Sequence, residues 1–313
     1  MKYKAISLIS TALLSMNAYA DNCEKVTFAD VGWTDITSTT AVASEIIKGL
    51  GYKTDTELLS VPVTYSSMAS GDIDVFLGNW MPTMEGDIAK YREAGTVEIV
   101  QPNLTGAKYT LAVPKYVYDA GVHSFADLAK YADKFKERIY GIEPGNDGNR
   151  LIQSMIDKNA FNLKDFNLVE SSEAGMVSQV SRAIRRHQWI AYLGWAPHPM
   201  NSKFDMKYLS GGDDYFGPNY GGAKVMTNVR KDYLQQCPNV GELITNLKFD
   251  LNMENHMMSR ILNDNQKPAI AARAWLKSHE EYLDKWLKNV KTIDGKPAKA
   301  AVISYLNSSK DNA

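Results

Sequence analysis

The stretch Ile73-Asp74-Val75-Phe76-Leu77-Gly78-Asn79-Trp80-Met81-Pro82 decides the fold: an apolar run that ends on a tryptophan and a chain-turning proline. Two other stretches repeat the pattern. Val26 to Val31 runs into Gly32-Trp33-Thr34-Asp35, and Trp189 to Leu193 runs into Gly194-Trp195-Ala196-Pro197. Short apolar runs bounded by turn residues read as buried strands. Between the first two, Val42, Ile46 and Leu50 recur at one-turn spacing before Gly51, which predicts a helix capped by Ser38 or Thr39. A strand at Glu57 to Leu59 and a helix from Val63 to Ala69 complete a βαβαβ unit, and such a unit predicts a largely parallel sheet.

A second unit follows. It reads as a strand from Tyr109 to Val113, a helix from Phe125 to Phe135, a strand from Arg138 to Ile142 and the turn Pro144-Gly145-Asn146. A helix from Arg150 to Asn159, a strand from Phe166 to Val169 and a helix from Ala174 to Arg186 then lead to the strand ending at Trp195. Beyond Val240 the pattern is helical, with Leu243, Leu247, Ile261, Trp275, Leu283 and Trp286 as core candidates. Gly106-Ala107-Lys108-Tyr109-Thr110 is echoed by Gly222-Ala223-Lys224-Val225-Met226, and both lie where one unit gives way to the next. The expectation is an α/β protein of two lobes with a hinge of two crossings, residues 21–108 and 222–313 forming lobe I and residues 109–221 lobe II. Such a hinge lets two lobes close over a ligand.

Lys2 and Lys4, the apolar stretch from Ala5 to Leu14 and the small-residue site Ala18-Tyr19-Ala20 read as a cleavable signal peptide in residues 1–20. The expected location is therefore the periplasm. A lipid-modified Cys23 is disfavoured, because Ala20-Asp21-Asn22 lack the pattern such a site needs. The chain has two cysteines, Cys23 and Cys237, and an even count in an oxidising compartment is most simply one disulfide. The formal net charge of −1 becomes −3 without the two signal lysines, and the basic cluster Arg182, Arg185 and Arg186 falls at helical spacing as a solvated face. No nucleic-acid partner is implied.

In an open α/β sheet, ligands bind beyond the carboxyl ends of the strands. Trp33, Trp80 and Trp195, with Tyr109, could therefore face one cleft. A quaternary ammonium has no N–H to donate, so a protein holds it with ring faces and a nearby anion, each desolvated ring contributing about 0.5 to 2 kcal/mol. Asp35 supplies a carboxylate in the Trp33 loop, and Asn146, opening a helix in the other unit, supplies an amide. Either could instead serve only as a helix-terminus residue. Trp189, Trp275 and Trp286 sit inside regular elements and read as core.

The chain resembles the periplasmic substrate-binding proteins of ABC transporters for quaternary amines, and the choline binders among them most closely. The resemblance rests on Gly32-Trp33-Thr34-Asp35, Gly71-Asp72-Ile73-Asp74, Gly78-Asn79-Trp80-Met81-Pro82-Thr83, Tyr109, Pro144-Gly145-Asn146 and Gly194-Trp195-Ala196-Pro197-His198-Pro199-Met200. It implies a cage of Trp33, Trp80, Tyr109 and Trp195 around the trimethylammonium, with Asp35 and Asn146 taking the choline hydroxyl. Tyr116, Tyr118 and Tyr192 compete with Tyr109 for the fourth ring. The implied partners are choline and an inner-membrane permease, and the protein is expected to act as a monomer with no cofactor or metal. Glycine betaine or proline betaine is the alternative ligand.

An enzyme on this fold, the rival from another class, would need a nucleophile or a metal. The cysteines are expected to be bonded, and His123, His187, His198, His256 and His279 lack ligand spacing such as H-E-x-x-H. His198, beside the third tryptophan loop, reads as a structural histidine. Gly211-Gly212 and Gly221-Gly222 lack the Lys-Ser/Thr of a phosphate loop.

Overall fold

The computed structural model describes residues 23–308. The expected signal peptide lies outside the described residues. The strands are β1 (Lys25–Asp30), β2 (Lys53–Leu58), β3 (Val75–Met81), β4 (Val97–Pro114), β5 (Arg138–Tyr140), β6 (Asn167–Val169), β7 (Ala191–Ala196), β8 (Met206–Tyr208) and β9 (Gly222–Arg230). They form one mixed sheet in the order β2-β1-β3-β9-β4-β7-β5-β6, with β8 alongside β4. The helices of nine residues or more are α1 (Thr34–Gly49), α2 (Val61–Ser70), α3 (Glu85–Glu93), α4 (Asp147–Asp157), α5 (Glu173–Arg185), α6 (Pro238–Asn246), α7 (Leu251–Leu262), α8 (Pro268–Ser278) and α9 (Ala298–Ser308).

The largely parallel sheet expected from the alternation holds only at the two ends. There β1 pairs in parallel with β2 and β3, and β5 with β6 and β7. The middle is antiparallel, because β9 runs against β3 and β4, and β4 runs against β7 and β8. β4 is also far longer than the Tyr109 to Val113 segment read from sequence. The part of β4 before Tyr109 carries Gln101, Pro102 and Gly106, and pairs with β9 through register shifts at Ile99/Gln101, Pro102/Leu104 and Thr105/Ala107. Such irregularities hide a strand from pattern reading.

β4 changes partner at Lys108, which pairs with Gly222 of β9 and with Ala196 of β7. The two Gly-Ala-Lys echoes lie against each other, Thr105 opposite Lys224 and Ala107 opposite Ala223. Cys23, just before β1, is bonded to Cys237, after β9, with Cα atoms 5.6 Å apart. The bond closes a loop of 214 residues and ties the start of the described chain to the sheet half that β9 completes.

Helix α1 begins at Thr34, five residues earlier than a Ser38 cap would put it. The Ser38 and Thr39 hydroxyls lie inside it and donate back to the carbonyls of Thr34 and Asp35. One face of α1 packs on the sheet and the rest on α7, α8 and α9, so the helix is buried nearly all round. The helix expected from Phe125 to Phe135 is broken into short turns, Phe125–Leu128, Ala129–Tyr131 and Ala132–Phe135. Trp275 and Trp286 are core, as expected, and Ile261 is only half-buried. Trp189 departs from its reading: it precedes β7, is half-buried, and packs on Tyr131 and Phe135 with the Lys134 ammonium 4.4 Å above its ring.

Candidate functional site

Each tryptophan of the three motifs is aimed by local bonds. Asp30, at the end of β1, accepts from the Gly32 N–H and the Thr37 hydroxyl, which fixes the loop that turns into α1. Gly32 takes φ +81 there, a conformation that suits glycine. Trp33 then stands at the start of α1, and its indole N–H donates to Glu143 Oε1 at 2.6 Å. Trp80 lies near the end of β3, where its indole N–H donates to Asp35 Oδ2 at 3.1 Å. Trp195 lies on β7, with its carbonyl accepting from Asn201 and its ring edge-on to His198 at 4.7 Å. The Met81–Pro82 and Ala196–Pro197 bonds that follow are both cis.

Tyr109 stands opposite Trp195 in the β4–β7 pairing. Its ring meets Trp80 edge-on at 5.9 Å and Trp195 at 6.4 Å. The hydroxyl donates to Asn146 Oδ1 at 2.9 Å and lies so close to Gly148 that any Cβ there would collide with it. The competing tyrosines point elsewhere. Tyr192 donates to Met206, Tyr116 stacks on His187, and Tyr118 lies against His123.

Trp33, Asp35, Trp80, Tyr109, Asn146 and Trp195 line one cavity, together with Ile142, around about 260 Å³ of space not filled by atoms. All seven residues are buried. Asn146 is the cap of α4, its Oδ1 accepting from the Asn149 N–H while its amide donates to Asp147. Asp35 uses one oxygen on Trp80, and its other oxygen, Oδ1, is buried with no hydrogen-bond partner. A buried acceptor left unpaired is costly, so an unpaired one on a cavity wall marks where a donor belongs.

The electrostatics are dominated by buried acids. Burial, and after it the charge of Glu173, pushes the Asp35 carboxyl up to about 8. Burial raises Glu143 as well, against the hydrogen bond from Trp33. Asp147, beside Asn146, is pushed up to about 7 by burial. Glu254 on α7 is raised well above its usual range by burial and then by Asp35. Burial also lifts Tyr109 far above the phenol range, so it stays a neutral donor. Among the described residues, no group of three or more His, Cys, Asp or Glu could hold a metal ion.

The sequence reading missed three residues here. Ile142 completes the cavity wall, and Glu143 holds Trp33. Glu173, at the start of α5, accepts from the Thr34 N–H and hydroxyl, both at 2.8 Å, and bonds His198 Nε2 at 2.9 Å. His198 accepts the Met200 N–H on Nδ1, so its Nε2 carries the proton given to Glu173. It is the structural histidine the sequence suggested, and with Glu173 it lies just behind the cage.

Residues 24–278 match the OpuAC family, the substrate-binding domain of the ABC-type glycine betaine transport system. The chain belongs to the OpuAC family. Among solved structures, an ABC-transporter choline-binding protein in complex with choline is 57% identical, covers 91% of this chain and 98% of its own, and superposes with a TM-score of 0.90. A choline-binding protein in an unliganded semi-closed conformation is likewise 57% identical, covers 91% and 99%, and has a TM-score of 0.84. Lactococcal OpuAC, closed and complexed with glycine betaine, is 30% identical, covers 84% and 98%, and has a TM-score of 0.76. The OpuAC-family fold is two-lobed, and the chain is a substrate-binding component of an ABC transporter.

Proposed function

We propose that this protein captures choline between its two lobes in the periplasm and presents it to an inner-membrane permease. The described residues of 21–108 and 222–313 form one lobe and residues 109–221 the other, divided where β4 exchanges β9 for β7. Four rings from both sides of that division, Trp33 and Trp80 on one and Tyr109 and Trp195 on the other, would take the trimethylammonium. The observation that carries the reading is the unpaired Oδ1 of Asp35 at the wall of an aromatic cavity. A choline hydroxyl offers one donor and two lone pairs, which suits Asp35 as acceptor and the Asn146 amide as donor. The carboxylate also offsets the cation. The likeness to a protein solved with choline supports the same ligand.

Glycine betaine is the second reading, favoured by the family and by the lactococcal complex. Its carboxylate would have to enter beside Asp35, with Glu143 and Glu173 bonded to Trp33 and Thr34 behind the cavity wall, which is unfavourable for an anion. Titration calorimetry of the purified protein with choline and glycine betaine in parallel decides between them. One choline per chain, bound more tightly than glycine betaine and recovered unchanged, is expected. No heat with any quaternary amine would refute the reading.

A further inference from the structure

Helix α1 has no side-chain cap of its own. Trp33 occupies the cap position, and an indole cannot accept the orphan N–H groups of the first turn. The first of those groups, the Thr34 N–H, donates to Glu173 Oε2, and the Thr34 hydroxyl donates to Oε1. Glu173 comes from the other lobe in the division proposed above, 139 residues away in sequence. It is held in place by the His198 Nε2–H, which follows the Trp195 motif, and both side chains are almost fully buried.

We infer that Glu173, oriented by His198, is a positioning residue that caps α1 across the cleft and so sets how long the lobes remain closed over the ligand. The inference rests on the choline reading of the cavity but goes beyond it, because Glu173 does not line that cavity. The capped dipeptide is the ligand-facing one. Trp33 is a cage ring, Asp35 the cage carboxylate, and Thr34 between them can be capped only when the lobes meet. When the lobes part, water replaces the carboxylate at the helix end. Hydrogen bonds to charged groups are the stronger kind, and this acceptor is shared by three donors in a buried site. A contact made only in the closed state should act on dissociation and leave the approach of the ligand nearly untouched.

Stopped-flow tryptophan fluorescence with choline tests this. Glu173→Ala should speed dissociation about tenfold or more, the loss of charge-assisted hydrogen bonds, while association stays within about threefold. Thr34→Val, from the opposite lobe, should speed it by a smaller factor, and the double variant should be no faster than Glu173→Ala alone. If Glu173→Ala fails to fold, Glu173→Gln and Thr34→Val carry the same comparison. Unchanged dissociation in a folded variant, or effects of the two positions that simply multiply, would overturn the inference. Should the unmodified protein bind no quaternary amine, the choline reading fails and the cap is read by X-ray scattering without ligand. Glu173→Ala must then have the larger radius of gyration, and equal radii would overturn it.

Discussion

Replacing Asp35 by Asn separates the two candidate ligands. Asp35 Oδ2 accepts the Trp80 indole N–H while Oδ1 is unpaired at the cavity wall. In Asp35→Asn the amide oxygen would keep the bond to Trp80, which leaves the NH2 group where Oδ1 stood. A charge then becomes a pair of donors without a change of shape. For two unit charges about 5 Å apart at an effective dielectric of about 20, the interaction is about 3 kcal/mol, attractive for the cation and repulsive for an added carboxylate. Choline should therefore lose about 2 to 3 kcal/mol, roughly 30- to 150-fold in Kd, from the lost attraction and the lost acceptor. Glycine betaine loses the same attraction but escapes the repulsion and gains a donor for its carboxylate, so its Kd should change little. Calorimetry of both proteins with both ligands gives the four constants. A choline affinity untouched by the substitution, or a choline-to-betaine gap that widens, would refute the role given to Asp35.

Cation binding is linked to ionisation of Asp35, which burial and Glu173 push up to about 8. A cation in the cavity would favour the ionised form, so choline affinity should rise with pH up to about 8 and level off above it, and a flat profile from pH 6 to 8 would contradict this. The stability effect has the opposite sign. Asp35 at about 8 and Asp147 at about 7 are raised above their unfolded values, so their contribution is present at low pH and is lost as pH rises through those values. The melting temperature of the protein alone should fall between pH 5 and 8 by this term, while the shift produced by choline grows. Trp33→Ala, Trp80→Ala or Trp195→Ala should each weaken choline by about 1 to 3 kcal/mol in calorimetry. Trp275→Ala, which empties a packed site against His279, Tyr282 and Trp286, should instead cost about 3 to 5 kcal/mol of stability in denaturant melts and leave Kd unchanged. Reducing Cys23–Cys237 should lower stability by about 2 to 4 kcal/mol with binding preserved.

What the sequence disclosed, and what it hid, follows from the range over which each signal acts. The strand-end tryptophans, the Pro-Gly-Asn turn and the apolar periodicity of α1 are local, and the six residues they nominated line one cavity. The start of α1 was misjudged for the opposite reason. Its cap is Glu173, far along the chain, so no residue near Thr34 carries the signature, and the nearby Ser38 and Thr39 offered a false one. Glu143 and Glu173 were invisible as partners of Trp33 and Thr34 because only the packed sheet brings them together. The antiparallel centre of the sheet escaped notice because β4 and β9 pair through repeated bulges, although their Gly-Ala-Lys echo had marked both.

Strand β4 runs unbroken from Val97 to Pro114 and trades neighbours at Lys108, one residue before the cage tyrosine. In the proposed division the pivot would be a hydrogen-bonded ribbon instead of a slack tether, with Tyr109 next to the point of exchange. On closure a ring near that point would sweep a short arc, whereas Leu58, exposed at the end of the outer strand β2, would swing through a longer one. Probes would then divide by lever arm. A fluorophore on Leu58 would register displacement as the lobes meet, and one beside Lys108 would register only twist. In that division Tyr109, with Trp195 paired opposite it on the same lobe, would serve as the fixed corner to which Trp33 and Trp80 are brought.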